Sequence, residues 1–350
     1  MLLNKLKTLD ASAVAPANFG LVMATGIISI AAHFLNVQWL ARFLFDVNIV
    51  FFVVLWVLTI VVIINDYKSF VGQLSDYLGG PGFFSVVAAT NVLGSQFVIL
   101  DGDYTLASYL WMFSCILWVI LTYVFFTAIT IQPQKPTLET GLNGSWLLIV
   151  VATQSVTVLG SFLIHQNALF NAAFLEFFIL IMWFAGAALY FLIMTMIFYR
   201  YLFRDFAPKD LSPSYWINMG GMAISTLAGA RLIVISPESE LLLSMLPFLK
   251  GLTLFFWSAG TWWIPFLILL EIWRQIYKHY PINYNPIYWG LIFPLGMYAA
   301  STYEIIEIFD LGFIRSVPHV FLYAAAILWL ATCGGLIHKI LKSISVSIRK

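Results

Sequence analysis

Charged side chains are rare inside the long apolar segments of this 350-residue chain, and three of them are candidates for chemistry. They are Arg231, Glu304 and Glu176, the last in "NAAFLEFFILIMWF". Charges at membrane depth are costly and usually face a protein interior or water. Arg231 and Glu304 could form an ion pair, Arg231 could collect anions at the mouth of a path, or both could lie at headgroup level. Glu176 and Glu304 are the titratable groups that proton coupling would need, although Glu176 lies near the start of its segment and could only reach the interface.

Motifs of enzymes and pumps are missing from the apolar segments. They hold no HExxH, no paired aspartates and no GxSxG, so an intramembrane enzyme is a remote alternative. The chain also lacks the GxxxxGK[ST] loop of a primary pump. Cys115 and Cys333 are predicted to be small buried side chains rather than a disulfide or metal site. We expect no metal, no cofactor and, with a net charge of +1, no nucleic-acid partner.

The composition is that of a polytopic membrane protein. Hydrophobic residues make up 62% of the chain and charged residues 9%, whereas soluble domains have about 25% charged residues. No stretch is long and polar enough for a separate soluble domain, so residues 1–350 are predicted to form one transmembrane domain. The N-terminus lacks an apolar core followed by a cleavage site, and the first apolar run is therefore expected to be a true span.

The apolar runs predict an all-α protein with ten transmembrane helices. They are expected near residues 17–36, 44–64, 83–100, 106–130, 144–163, 172–198, 215–234, 242–270, 286–305 and 318–340. Of the 17 Lys and Arg residues, all but Arg42, Arg231, Lys250 and Arg315 then fall on one side of the membrane. Because positive charge stays in the cytoplasm, we predict a cell-membrane protein with both termini cytoplasmic.

The odd-numbered spans form an internal repeat. Each starts with an aromatic residue near Gly or Pro, namely Phe19, Phe84, Trp146, Trp216 and Trp289. Their centres are small and hydroxyl-bearing: "MATG" (23–26), "AATN" (88–91), "VATQ" (151–154), "AIST" (223–226) and "AAST" (299–302). The even-numbered spans are bulky and apolar, as in helices that face lipid. The pattern predicts five helical hairpins in a quasi-five-fold arrangement, with the odd helices around an axis; alternatively, the small residues only mark helix packing.

The repeat also yields candidates for a path along that axis. The predicted lining residues are Thr25, Gly26, Thr90, Asn91, Thr153, Gln154, Gly220, Ser225, Thr226, Met297 and Ser301. Hydroxyl and backbone dipoles in a narrow tube can replace part of an ion's hydration shell. Arg231 and Glu304 each lie fifteen residues after the starting tryptophan of their repeat, which predicts equivalent places near the outer mouth.

The ninth span carries a proline inside an apolar helix, in "YWGLIFPLGMYAASTYEIIE" (288–307). Pro294 lacks an N–H and its ring crowds the carbonyl of residue 290, where Gly290 eases the contact. A kink is expected, and the freed carbonyl is tolerable where it meets water in a cavity. The kink would turn Phe293 towards the axis; alternatively, the proline is merely tolerated and Phe293 belongs to the packed core.

The segments "PANFGLVMATGIIS" and "YWGLIFPLGMYAAST" resemble the tellurite-resistance/dicarboxylate transporter family. That family includes bacterial TehA, the plant SLAC1-type guard-cell anion channels, and yeast malate and sulfite transporters. The resemblance covers essentially the whole chain and implies a homotrimer with one pore in each protomer, formed by five tilted inner helices. It also implies that a phenylalanine of the ninth helix plugs the pore, which by the matching motif is Phe293.

Two transport functions remain open on these grounds. The first is a passive or gated pore for small anions in the lipid bilayer. The alternative is a proton-coupled transporter or exporter of C4-dicarboxylates, such as malate or succinate, or of sulfite, of the tellurite-resistance type. The two differ in whether flux depends on a pH gradient.

Overall fold

The computed structural model describes residues 16–164, 171–281 and 285–348, and within these ranges all regular secondary structure is helical. Three short helices, Tyr67–Leu74, Leu138–Gly141 and Glu240–Ser244, lie between the long ones. The long helices are α1 (Gly20–Phe34), α2 (Gln38–Asn65), α3 (Phe84–Gln96), α4 (Tyr104–Ile131), α5 (Leu148–Leu163), α6 (Ala172–Phe203), α7 (Ile217–Ile235), α8 (Leu246–Ile272), α9 (Trp289–Phe309) and α10 (Ser316–Ile348).

Several helices extend beyond the apolar runs that predicted them. Helix α2 begins at Gln38, six residues before its predicted start, and α6 ends at Phe203, five residues after its predicted end. Charged residues such as Arg42 and Arg200 end an apolar run, but they are good helix formers and do not end the helix itself. The predicted run 242–270 divides into the short helix Glu240–Ser244 and α8.

The odd-numbered helices form a closed ring. Helix α1 packs against α3, α3 against α5, α5 against α7, α7 against α9, and α9 against α1. Each even-numbered helix packs against the odd-numbered helix before it in the chain. The most apolar stretches of α1, α3, α5 and α7 are at least 78% buried, whereas those of the even-numbered helices are at most 50% buried. We call these two sets the inner and outer helices.

A turn of 3₁₀ helix leads directly into each inner helix. These turns are Pro16–Phe19, Gly80–Phe83, Gly144–Leu147, Pro213–Trp216 and Pro286–Tyr288. They contact one another in the same closed order as the helices that follow them. Proline suits this position because its φ is preset and the first N–H groups of a helix have no intrahelical acceptor. Gly144 allows close contact, since a Cβ there would lie 2.4 Å from the Ser214 carbonyl oxygen.

Nine helical segments within the described ranges are long and apolar enough to cross a bilayer. Helix α9 is the long helix that falls short, because Tyr298, Tyr303, Glu304 and Glu307 lower its apolar character. It packs against α1, α7 and α10, and a helix enclosed by protein does not need an apolar surface. The fold is that of an all-helical polytopic membrane protein.

Candidate functional site

A cavity of about 40 Å³ lies where the inner helices begin. All five inner helices or their 3₁₀ turns contribute to its wall. The first lining residue of each is Ala17, Ser85, Ser145, Ser214 or Pro286, in chain order. The Ser85 hydroxyl is 2.9 Å from the Pro16 carbonyl oxygen, to which it donates, and thereby links α3 to the turn before α1. This first cavity is therefore centred on the ring rather than on any one pair of helices.

A second cavity of about 20 Å³ is also lined by all five inner helices. Ile27, Asn91, Ser155, Ile224 and Met297 are one contribution from each helix. This volume is about what one water molecule requires, so the cavity suits one small ion or water molecule. Both cavities therefore belong to the same axis.

Helix α9 contributes Phe293 to the first cavity and Met297, one helical turn later, to the second. The same step occurs on α1, where Met23 lines the first cavity and Ile27 the second. The Phe293 residue is only 1% exposed. Phe293 and Met23 are thus equivalent positions at the first cavity, one helical turn before a residue that lines the second.

The residues around Phe293 differ in how closely they pack. Helix α9 is continuous through Pro294. A Cβ on Gly220 would lie 2.8 Å from Pro294 Cγ, so the absence of a side chain there lets α7 contact the proline ring. Gly290 lines the first cavity, and a Cβ on it would meet no atom of Ile217 or Ser214 closer than 3.5 Å. The glycine that close packing requires is therefore Gly220, while the role of Gly290 beside the proline stays a prediction.

Arg231 and Glu304 lie beyond the second cavity. The Arg231 Nη1 atom is 3.7 Å from Glu304 Oε1, and the guanidinium carbon lies 4.1 Å from the centre of the Phe162 ring. Arg231 comes four residues after Leu227, which lines the second cavity, and Glu304 comes seven residues after Met297. Helical phase therefore places both on the axial side. The structure contains the ion pair between neighbouring inner helices that the sequence left as one of three possibilities.

Three predicted lining residues contact outer helices instead. The Thr25 hydroxyl oxygen accepts from the Trp329 indole at 2.8 Å, and Thr153 accepts from Trp118 at 2.8 Å. The Gln154 amide nitrogen donates to the carbonyl oxygen of Trp183 at 3.1 Å. Within a bilayer no water is present to accept a hydrogen bond from an indole N–H, so polar atoms of the inner helices accept it instead. None of the three lines either axial cavity, and their place on the path stays a prediction.

Five more predicted residues are also absent from the walls of the two axial cavities. Gly26 packs against α3, where a Cβ would lie 2.4 Å from Val92 Cγ1. The other four donate their hydroxyl protons to carbonyl oxygens of their own helices: Thr90, Ser225, Thr226 and Ser301. Such bonds occupy the one hydroxyl proton of each residue. Of the eleven predicted lining residues, Asn91 and Met297 contribute to a cavity wall, and Gly220 supports Pro294.

The sequence interpretation missed Ser95 and Ser155, which line the second cavity. Counting eight residues from the aromatic starts, the offset of Met297 from Trp289, gives Val92 and Gln154 on these helices, so the repeat alone does not indicate either serine. The sequence interpretation also missed a repeat in the outer helices, since each carries a tryptophan near its middle: Trp56, Trp118, Trp183, Trp257 and Trp329. Besides the bonds above, the Trp257 indole donates to Thr302 at 3.0 Å and that of Trp183 to the Ser225 carbonyl at 2.9 Å.

The remaining candidates lie away from the two cavity walls. The Glu176 carboxylate accepts a hydrogen bond from the Ser239 hydroxyl at 2.7 Å, so it links α6 to the segment after α7. Cys115 and Cys333 are free thiols, and both are partly buried, whereas the sequence predicted small buried side chains. Both cysteines belong to outer helices, whose outward faces are not covered by protein.

Comparison with known proteins adds the family. Residues 13–337 match the family model described as SLAC1, voltage-dependent anion channel. A protein of Methanocaldococcus jannaschii described as an uncharacterized transporter is 24% identical over 92% of this chain and 93% of its own length. A second uncharacterized transporter of that organism is 22% identical over 85% of both chains. An uncharacterized membrane protein of Mycobacterium tuberculosis is 29% identical over 46% of this chain and 81% of its own length. The chain therefore belongs to the SLAC1 family of voltage-dependent anion channels, a family of transport proteins and not of enzymes.

Proposed function

We propose that this protein conducts small anions across the membrane along the axis of the inner helices, with Phe293 as the gate. The observation that carries the proposal is the pair of cavities on the same axis, each lined by all five inner helices, with Phe293 at the wall of the first and Met297, one helical turn later, at the wall of the second. Membership of the anion channel family supports the choice of small anions as substrate.

The proposed topology has ten spans in five hairpins within one transmembrane domain. Helix α9 is included as a span because both of its neighbours in the ring, α1 and α7, are among the nine apolar segments. An even number of spans places both termini on one side, and the distribution of Lys and Arg makes that side the cytoplasm. The first cavity would then open towards the cytoplasm, since the inner helices begin there.

The closed state follows from the packing at Phe293. Phe293 is buried, and the next residue, Pro294, contacts Gly220 of α7, which has no side chain. Passage from one cavity to the other therefore requires that the ring turn aside or that α9 move. Removing the ring would join two spaces that already exist, without any new opening elsewhere.

The dimensions and charges favour small anions over the alternative carrier function. The second cavity, about 20 Å³, holds one small ion but not a C4-dicarboxylate unless the helices separate. Arg231 places a positive charge beyond that cavity. Glu304 is the titratable group on the same side, and it keeps proton-coupled transport of dicarboxylate or sulfite as the second candidate.

We also propose a homotrimer in the bilayer, which rests on the family resemblance. The outer helices carry many exposed large apolar side chains, for example Val53, Ile116 and Ile327. Such surfaces suit contact with lipid or with other protomers. The path itself lies inside one protomer, so conduction does not require the contact between protomers.

The test is flux into liposomes of matched protein content. We expect Phe293→Ala to raise chloride and nitrate flux at least tenfold over wild type, with smaller effects on sulfite and malate. The matched control is Phe256→Ala, because Phe256 on α8 is equally buried but packs against Trp183 on the outer side. It should lose stability without gaining flux.

Unchanged or reduced flux from a folded Phe293→Ala protein would show that the gate is elsewhere. Should alanine prevent folding, Phe293→Leu keeps more of the packing and should still raise flux. Flux that needs a pH gradient would favour the proton-coupled carrier instead.

A further inference from the structure

Polar atoms of the second cavity are concentrated on one side. Helices α3 and α5 contribute Asn91, Ser95 and Ser155, whereas α1, α7 and α9 contribute isoleucine, leucine and methionine side chains. An ion in this cavity would therefore meet its polar contacts on the side of α3 and α5. These three polar residues are at most 2% exposed.

Both serine hydroxyls donate their protons to backbone carbonyl oxygens. Ser155 Oγ is 2.7 Å from the Ala152 carbonyl oxygen, and Ser95 Oγ is 2.9 Å from the Asn91 carbonyl oxygen. A hydroxyl has a single proton to donate. Both serines therefore present oxygen lone pairs, which an anion does not bind.

Asn91 differs because its amide has two N–H bonds. One donates to Ser155 Oγ at 2.9 Å. Among the described residues no acceptor lies within hydrogen-bond distance for the second, and the side chain lines the cavity. The Asn91 amide is thus the available side-chain donor at this cavity.

Ser114 determines which end of the amide meets the cavity. Its hydroxyl, fully buried on the outer helix α4, lies 2.7 Å from Asn91 Oδ1 and 2.8 Å from the Trp111 carbonyl oxygen, and donation of its single proton to Oδ1 orients the amide. The carbonyl oxygen is thereby drawn towards α4. If the amide turned over, the cavity would present a carbonyl oxygen, which attracts cations and repels anions.

We propose that Asn91 coordinates a partly dehydrated monovalent anion of halide size in the second cavity, and that Ser114 is the positioning residue that keeps its N–H towards the path. This inference rests on the proposed function and adds the group that selects for charge. It assigns selectivity to one neutral amide rather than to Arg231, which lies further along the axis.

The experiment measures the chloride-to-potassium permeability ratio from reversal potentials in a KCl gradient. All variants are made in the Phe293→Ala background, so that the path is open. Asn91→Leu should lower chloride permeability about tenfold, the order expected for one hydrogen bond to a charged group. Asn91→Asp, nearly the same size, should lower the ratio further, because it places a carboxylate at the cavity.

Ser114→Ala tests positioning. It should lower the ratio several-fold while the protein remains folded, and Ser114→Thr, which keeps a hydroxyl, should restore it. The matched control is Thr59→Val, since Thr59 is a buried hydroxyl on α2 that donates to the Leu55 carbonyl of its own helix at 2.7 Å. It should leave the ratio unchanged, as a purely structural loss would.

The outcomes separate the two proposals. If the Phe293→Ala background conducts anions but Asn91→Leu and Asn91→Asp keep its ratio, the inference on Asn91 is wrong and the proposed function stands. If Asn91 variants change the ratio but Ser114→Ala does not, the positioning role is wrong. Absence of anion flux in the background would overturn both.

Discussion

The inner helices turn one face towards the axis and the opposite face towards the outer helices, and polar side chains lie on both. Thr25, Thr153 and Thr302 accept indole protons from three different outer helices. The axial side has one serine from each of three inner helices or their 3₁₀ turns at the first cavity, and Asn91, Ser95 and Ser155 at the second. Hydroxyl-rich centres in a membrane helix therefore indicate contact with a neighbouring helix as readily as a wet path.

The physical reason is the cost of an unpaired polar group in a bilayer. A tryptophan indole that points away from lipid must donate to protein, and a threonine on the next helix is a compact acceptor. An ion path has the opposite requirement, because groups that bind an ion too tightly prevent it from leaving. Changes on the axial side should therefore alter flux and selectivity, and changes on the outward side should leave flux per folded protein unchanged.

The largest effect on stability is expected from Arg231→Ala, on the axial side. It leaves Glu304 buried without its partner, and breaking a buried pair in this way costs about 3–5 kcal/mol. Anion flux should also fall and become less sensitive to salt, because the positive charge beyond the second cavity is lost. Thermal unfolding in detergent and chloride flux at two salt concentrations measure both.

The control is Arg231→Met combined with Glu304→Gln, which removes both charges and should recover most of the stability. An Arg231→Ala protein as stable as wild type would mean that water already solvates Glu304.

An intermediate effect is expected from Gly220→Ala, where two inner helices meet. The new Cβ would lie 2.8 Å from Pro294 Cγ, so α9 must shift at a cost of about 1–3 kcal/mol. The matched variant Gly290→Ala has room and should be neutral or gain about 0.5–1 kcal/mol. Free energies of unfolding for the two proteins should therefore change in opposite directions; equal changes would contradict the close contact at Pro294.

The smallest effect is expected from Trp329→Phe, on the outward side. It removes the hydrogen bond to Thr25, worth about 1 kcal/mol, and should leave chloride flux per folded protein unchanged. Trp56→Phe is the control, because the buried Trp56 indole N–H has no partner among the described residues. It reduces ring size in the same way without losing a bond, so a difference in unfolding free energy between the two isolates the bond. A change in flux in Trp329→Phe would contradict the expectation that the outward face of the inner helices does not affect conduction.

Much of the architecture could be predicted because it depends on chain-local patterns. Apolar length located the long helices, whose ends differ from the predicted ones by up to eight residues, and the aromatic starts Phe19, Phe84, Trp146, Trp216 and Trp289 fall in or next to the 3₁₀ turns. Equal offsets of fifteen residues placed Arg231 and Glu304 together because aligned repeats put equivalent positions at one height of the ring.

The lining residues were harder to predict because the inner helices are buried on all sides. Where every face of a helix is covered, hydrophobic periodicity does not distinguish the axis from an outer neighbour, and it gave no sign that Thr25, Thr153 and Gln154 bond to outer helices. Ser114 could not be recognised at all, since its importance depends on one contact across to α3.

The sequence by itself determined the class of protein, the long helices, their pairing into hairpins and the family, since these follow from composition, apolar length, repeat spacing and motif. Only the tertiary structure decided which side chains face the axis. That depends on the rotation of each inner helix within the ring, which is set by contacts between residues far apart in the chain: Trp329 with Thr25, Ser114 with Asn91, and Pro294 with Gly220. Local sequence pattern determines where the helices lie in the chain, and long-range packing determines which face of each helix points to the axis.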